Sequence, residues 1–349
     1  MGAPRFFFAR MIRSAMRRTH RPGFRAPTLP AAVVFAMSVA LSHAVHAEWV
    51  SRDEAIMGTR IAVELWATDP VQGEALITRV MDEMHRVDAL MSTYKPASQV
   101  SLVNERAARE PVIVDVDLFG LLQTALDYSR VTEGAFDITY ASVGYLYDYR
   151  RHIRPDDAAI AAALPAVDYR HVVLDPKTRG VRFTQAGVRI DLGGIAKGWA
   201  VDRGIELLQA AGVERAFITA GNDTRIIGDR FGEPWMVGIR DPREDGKVAV
   251  RIPLVDAALS TSGDYERFFE ADGVRYHHIL SPSTGRPASA VRSVTIIGPT
   301  ATRTDGLSKT IFVLGIEKGM QVLDRAGDVD AIAIDKDGKI YYSKGLAKP

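Results

Sequence analysis

The segment Asp191-Leu192-Gly193-Gly194-Ile195-Ala196-Lys197-Gly198 restricts the fold more than any other stretch of this 349-residue chain. The apolar residues at 188–192 predict a strand that ends beside a carboxylate. Two glycines then let the backbone turn tightly and approach a ligand closely. Val201, Ile205 and Leu208 mark the helix that follows, and Gly212 ends it. Lys197 falls in the first turn of that helix, where the amides and the helix dipole favour an anion, so a pyrophosphate suits the turn. A plain strand-to-helix turn, with Asp191 as a cap and Lys197 in solvent, has the same spacing, and short glycine motifs recur by chance.

Around this segment the pattern mixes strands and helices. A strand is predicted at 60–66, where Ile61, Val63 and Leu65 alternate with Ala62, Glu64 and Trp66. Pro70 opens a helix striped by Leu76, Val80, Met84, Val87 and Met91. A loop at 92–104, a helix at 116–132 and a short helix at 156–164 follow, then strands at 171–174 and 180–183. Beyond Gly212, strands are predicted at 215–219, 225–227, 235–239, 248–252, 257–261 and 291–298. A helix at 304–314, another from Glu317 and strands near Ala331 and Ile340 close the chain. Without strict βαβ alternation this is α+β. No linker or repeat divides the chain, and 47% hydrophobic residues supply a sizeable core, so one domain of two intertwined lobes is expected.

Cysteine is absent, which excludes disulfides, thiolate nucleophiles and iron–sulfur sites and leaves only oxygen or imidazole to hold a metal. Residues 1–47 read as a signal peptide. Arg5, Arg10, Arg13, Arg17, Arg18, Arg21 and Arg25 precede an apolar run at 31–41, and Val45-His46-Ala47 suits cleavage before Glu48. The run is shorter than the roughly 20 residues of a spanning helix, so a periplasmic protein at 48–349 is expected. Arg17-Arg18 resembles a twin-arginine signal, but Thr-His-Arg-Pro follows it, which favours general secretion. Lys plus Arg (44) balances Asp plus Glu (43), so no basic excess points to nucleic acid.

Two further constellations carry chemistry. In Tyr276-His277-His278-Ile279-Leu280-Ser281-Pro282-Ser283-Thr284-Gly285, strand alternation allows one histidine of the pair to face a pocket as a general base, and a surface pair before a turn is the alternative. Thr304-Asp305-Gly306-Leu307-Ser308-Lys309-Thr310 opens an apolar helix whose oxygens, with a carbonyl from elsewhere, suit Mg²⁺; Thr304 or Asp305 acting as a simple N-cap is the alternative. Met57-Gly58-Thr59, Ser92-Thr93-Tyr94, Gly134-Ala135-Phe136-Asp137-Ile138-Thr139 and Gly221-Asn222-Asp223 are weaker signals, each also a possible turn.

In order along the chain these segments resemble the FAD:protein FMN transferase (ApbE) family, from about Ile56 to the C-terminus. Met-Gly-Thr, Ser-Thr-Tyr, Phe-Asp-Ile-Thr, Asp-Leu-Gly-Gly-Ile-Ala-Lys-Gly, Gly-x-Asp, His-x-x-x-Pro-x-Thr-Gly, Asp-Gly-Leu-Ser and Phe-Val-Leu-Gly occur in that sequence. The resemblance implies an ApbE-like domain that cleaves FAD at its pyrophosphate, joins FMN to Thr or Ser of a target protein and releases AMP. It implies FAD contacts at Met57, Tyr94, Ala135, Phe136, Asp137, Asp191, Lys197 and Ile279, Mg²⁺ at the Gly194 carbonyl and Asp305, and a role for His278 in activating the acceptor hydroxyl. The partner it implies is an exported or periplasm-facing flavin-accepting protein of an electron-transfer complex, with membrane contact only through that partner.

Three positions depart from the family pattern. Lys309 stands where a threonine usually follows the metal-binding aspartate; either Ser308 or Thr310 substitutes, or Lys309 gives its charge to the phosphate. Asn222 replaces a glycine, and Ser281 an acidic residue. An FAD pyrophosphatase, a non-catalytic FAD-binding maturation protein and a periplasmic solute-binding protein are the competing readings. Asp305-Gly306-Leu307-Ser308-Lys309-Thr310 lacks the small residues expected before a modified threonine, so self-flavinylation is not expected.

Overall fold

The computed structural model describes residues 46–346 except Asp245. All but the last two residues of the expected signal peptide lie outside the described residues, and among these no helix is long and apolar enough to cross a membrane. An eight-stranded antiparallel sheet runs in chain order through β1 (Glu48–Ile56), β2 (Thr59–Ala67), β3 (Ala216–Ala220), β4 (Asp223–Ile227), β5 (Ala258–Gly263), β6 (Val291–Gly298), β7 (Asp330–Asp335) and β8 (Ile340–Tyr342). Each strand pairs with the next one, and long insertions fill the gaps after β2, β4, β5 and β6. The class is α+β, as the sequence implies.

Alternation along the strands gives the sheet two apolar faces. Ile61, Val63, Leu65, Ile218, Ile227 and Ala258 meet α1 (Pro70–Met91) and α4 (Ala196–Ala210) in the largest buried cluster, which also holds residues of α2 (Gln99–Arg106) and α3 (Val116–Val131). Ile226, Leu259 and Ile332 face the other way, under a hairpin of Trp235–Arg240 and Val248–Leu254 that contributes Trp235, Ile239, Ile252 and Leu254. Further along, Val294, Ile296 and Ala333 cluster with residues of α5 (Ala301–Leu307), α6 (Thr310–Leu314) and α7 (Ile316–Ala326).

α1 begins where the sequence says it should: the Asp69 carboxylate accepts from the Val71 and Gln72 amides, and Pro70 needs no hydrogen-bond acceptor at the first position. Val80, Met84, Val87 and Met91 of its expected stripe are buried, each such side chain contributing about 1.5–3 kcal/mol, but the first place in the stripe is taken by Ile77, and Leu76 is half-buried.

Several elements differ from the sequence reading. β1 escapes it because this edge strand buries only Val50 and Ile56, with Trp49 half-buried and the remaining positions charged or small. α2 lies inside the expected loop, started by Ser98 accepting from the Ser101 amide. The strand expected at 188–192 belongs to no sheet; its partners are the Ile138 carbonyl, which accepts from the Asp191 amide (3.0 Å), and side chains. The Asn104 amide donates to Ile190 O (2.9 Å) and accepts from its N–H (2.7 Å), and Ser142 accepts from the Arg189 amide (3.0 Å). A polar side chain thus does there what a neighbouring strand would do. The helix expected at 304–314 is broken between α5 and α6, at Ser308 and Lys309.

Candidate active site

One end of the sheet gathers the conspicuous motifs. β1 and β2 are joined by the two-residue turn Met57-Gly58, with φ of 55° and 69°. Such a turn requires left-handed backbone at both positions and normally takes Asn or Asp before the glycine. Methionine there costs about 1–2 kcal/mol, so its presence marks a side chain wanted at the hairpin tip, where Met57 is half-buried against the main core. The neighbouring β3–β4 turn is tied to this hairpin by the Gly221 amide donating to Arg60 O (2.8 Å).

Asp191 holds the glycine turn in shape. Its carboxylate accepts from the Gly193 amide (2.6 Å) and from the Thr93 hydroxyl (3.0 Å), which ties the turn to the loop bearing Tyr94. Tyr94 is 83% exposed, an aromatic ring left free at the site. Burial, and next the Asp191 carboxylate, push the Tyr140 hydroxyl well above its ordinary range, with Tyr149, Tyr94 and Arg267 acting on the same phenol. Asp191, Tyr94 and Arg267 thus act electrostatically on one half-buried phenol. Ala135 and Phe136 are buried beside the glycine turn; a Cβ on Gly194 would lie 3.4 Å from the Phe136 ring. Asp137 turns inward: its oxygens accept from the Thr139 amide (2.8 Å) and hydroxyl (2.6 Å) and from the Tyr169 amide (2.8 Å), so its work is to fix the turn that carries Phe136.

Behind the turn lies a buried charge cluster. Ile195, at the N-cap of α4, offers no side-chain hydrogen bond to the helix start. Gly198 in its first turn touches α5 so closely that a Cβ would stand 2.3 Å from Ala301 O, and only glycine lets the Gly198 amide reach Asp305 Oδ2 (3.2 Å). Asp202 fixes α5 from the same helix, accepting from the Ala301 and Thr302 amides (2.9 and 2.8 Å) and from Arg225 (2.9 Å). Lys197 is ion-paired to Asp223 and lies 3.7 Å from Asp305. Burial disfavours the Lys197 ammonium, yet the Asp223 and Asp305 carboxylates outweigh it and hold its pKa above the usual lysine value. Burial alone would also raise the Asp305 carboxyl; Lys197, Lys309 and the Gly198 amide keep it below the usual range.

The two histidines separate into different roles. His277 is a core residue: one ring nitrogen bonds Ala288 O (2.7 Å), the other accepts from the Ile279 amide (3.3 Å), and burial lowers its pKa to about 4. Ile279 is buried beside it. His278 keeps a buried Nδ1 with no hydrogen-bond partner, and burial, then the Arg267 charge, then His277 and Lys309, lower it to about 3. It is neutral at physiological pH and has a free nitrogen to accept a proton. β-strand structure ends at His277, so strand alternation does not decide the matter.

The residues present do not fit Mg²⁺. The two oxygens assigned to it by resemblance are held by Lys309, whose Nζ donates to Gly194 O (3.2 Å), Asp305 O (3.0 Å) and Asp305 Oδ1 (2.5 Å). A divalent ion roughly 3 Å from that ammonium would meet a repulsion on the order of 10 kcal/mol even at an effective dielectric near 20. Neither hydroxyl substitutes as expected. Ser308 donates to Asp305 O (2.7 Å) and bonds Ser262 (2.8 Å). The buried Thr310 hydroxyl has no hydrogen-bond partner and opens α6, beyond the break that separates it from Asp305. Among the described residues no group of three or more His, Cys, Asp or Glu could hold a metal.

Comparison with known proteins decides the family. A model of the ApbE family matches residues 57–333. The chain belongs to the ApbE family. A relative from Treponema pallidum (strain Nichols), named FAD:protein FMN transferase, is 35% identical over 317 residues, 85% of this chain and 87% of its own. One of the same name from Klebsiella pneumoniae (strain 342) is 35% identical over 292 residues, covering 82% and 90%. Among solved structures, the ApbE protein of Thermotoga maritima has a TM-score of 0.79 at 36% identity, over 85% of this chain and 97% of that one. The flavin transferase ApbE of Vibrio cholerae has 0.77 at 31%, over 86% and 98%.

Three roles are left unassigned by the sequence reading. Asp223, placed there only within the Gly-x-Asp segment, is the partner of Lys197 across 26 positions. Arg267 sits in an exposed loop but acts electrostatically on Lys197 and His278, and its guanidinium is 3.7 Å from where a Gly58 Cβ would be. The Asn222 side-chain amide donates to Glu266 (3.0 Å). Two surface depressions of about 450 and 400 Å³, lined around Gly315 and around Trp235, share no residue with this site.

Proposed function

We propose that the protein is an FAD:protein FMN transferase. The observation that carries the reading is that relatives of this name align with more than four-fifths of the chain, in the family whose motifs converge at one end of the sheet. FAD lies with its flavin toward Met57 and Tyr94 and its pyrophosphate toward the Gly193-Gly194 turn and Lys197. A hydroxyl oxygen of Thr or Ser on the acceptor bonds to the FMN phosphorus, the bond from that phosphorus to the bridging oxygen breaks, and AMP leaves with the electron pair. The hydroxyl proton passes to the free Nδ1 of His278. Lys197 and Arg267 stabilise the charge on the phosphate oxygens. Binding of an anionic pyrophosphate offsets the cations that depress His278 and so makes it a better base.

The chain is exported, cleaved after Ala47, and serves a periplasm-facing acceptor of an electron-transfer complex; the basic, apolar and small-residue order of 1–47 supports this part. The test is incubation of purified protein with FAD, with and without a flavin-carrying domain of such a complex prepared without its flavin. Covalent flavin fluorescence on the domain with matching AMP is the expected outcome. AMP with free FMN, independent of the domain, indicates a pyrophosphatase, and no AMP under any condition sinks both enzymatic readings.

A further inference from the structure

The buried cluster behind the glycine turn is charge-balanced by its own side chains. Asp223 and Asp305, with side chains 4% and 1% exposed, face Lys197 and Lys309, so two negative charges meet two positive ones. Lys309 does more than neutralise. Its three N–H groups are matched by three oxygens, two from Asp305 and one from Gly194, 115 positions away in sequence, so the ammonium joins the start of α4 to the end of α5. The break between α5 and α6 places Lys309 at this junction, and the Ser308–Ser262 hydrogen bond (2.8 Å) pins the break to β5. The side chain also fills the available space: a Cβ on Gly194 would lie 3.3 Å from Lys309 Cε. Yet 19% of the Lys309 side chain remains exposed, so its charge stands near the entrance of the cluster.

We propose that the Lys309 ammonium serves this site as a fixed internal cation in place of a divalent metal ion. It fixes Gly194 and Asp305 and lends its charge to the FAD pyrophosphate, so that FAD binding is independent of divalent cations. The inference rests on the reading that the pyrophosphate lies at this cluster. A cation built into the chain costs no separate binding event and is not removed by a chelator.

The test uses the whole protein and two readouts, quenching of flavin fluorescence on FAD binding and the electron paramagnetic resonance signal of Mn²⁺, an oxygen-seeking stand-in for Mg²⁺. Wild type is expected to bind FAD equally well in EDTA and in millimolar Mg²⁺ and to leave the Mn²⁺ signal unchanged. Lys309→Met, which keeps the stem and removes the charge, is expected to weaken FAD binding by roughly tenfold or more, with melting temperature recorded alongside. Lys309→Thr is expected to create a Mn²⁺ site and make FAD binding depend on Mg²⁺, whereas Lys309→Arg keeps it metal-independent. Loss of wild-type FAD binding in EDTA with recovery on Mg²⁺, or a stoichiometric Mn²⁺ site in wild type, overturns the proposal. The wild-type measurements stand even where a variant fails to fold. Metal-independent FAD binding without any FMN transfer would retain the internal cation and discard the transferase reading.

Discussion

The two halves of the site are built in opposite ways. The flavin half consists of exposed or half-exposed groups on turns: Met57 at a hairpin tip and Tyr94 on a loop. The phosphate half is a buried network in which Lys197, Lys309, Asp223 and Asp305 each depend on partners far away in sequence. Exposed groups on turns can change identity at little cost to the fold. Buried charges cannot, because removing one leaves its partner without compensation in a medium that solvates it poorly. Damage to the phosphate half should therefore strike stability and turnover together, whereas damage to the flavin half should strike substrate recognition alone.

The largest effect is expected from Asp305→Ala. It strips Lys309 of its carboxylate and Lys197 of its second one, and breaking a buried pair in this way costs about 3–5 kcal/mol. AMP release should fall by roughly a hundredfold or more. Urea denaturation and AMP chromatography on one preparation measure both, and a variant with lost turnover and unchanged stability would break the contrast between the halves.

Next in size is the share of the acid limb of stability due to His277, to which His278 adds its own. Its folded pKa of about 4 lies below the unfolded value of 6.5, so the unfolded chain takes up the proton first. The stability from burying neutral His277 is intact above 6.5 and is lost as pH falls from 6.5 towards 4, about 3 kcal/mol in all. Denaturation curves across this range should show that loss in wild type and a flatter dependence in His277→Asn. An equally steep limb in the variant would remove His277 from the core role given to it.

The smallest effect is expected from Tyr94→Ala. With its ring already in solvent, the melting temperature should not move. Loss of a stacking contact of about 0.5–1.5 kcal/mol should raise the KM for FAD by a few-fold and leave kcat nearly unchanged. A fall in kcat at constant KM would place Tyr94 nearer the reacting phosphate than to the flavin.

The contrast also explains what the sequence discloses. Local signals survive: the α1 stripe, its Pro70 start, the Gly-Gly turn before α4 and the Gly212 stop all recur in the fold. Period and capping are properties of neighbouring residues, so a sequence displays them. Hidden are the pairings decided by tertiary structure. Asn104 imitates a strand partner for Ile190, Asp202 caps a helix a hundred positions on, and Lys309 reaches Gly194. Lys309 can be recognised as out of place in a metal-binding motif, but its three oxygen partners follow only from how α4 and α5 meet. The charged edge strand β1 and the helix α2 are missed because neither has an apolar stripe long enough to register.

A crystal structure with FAD bound tests the two-part site most directly. The expected result is one FAD spanning both halves, its isoalloxazine against Met57 and Tyr94 and its pyrophosphate beside the Gly193-Gly194 turn, within reach of Lys197, with Lys309 still bonded to Gly194 and Asp305. A pyrophosphate remote from both lysines, or a divalent ion between Gly194 and Asp305 with Lys309 displaced, would contradict it.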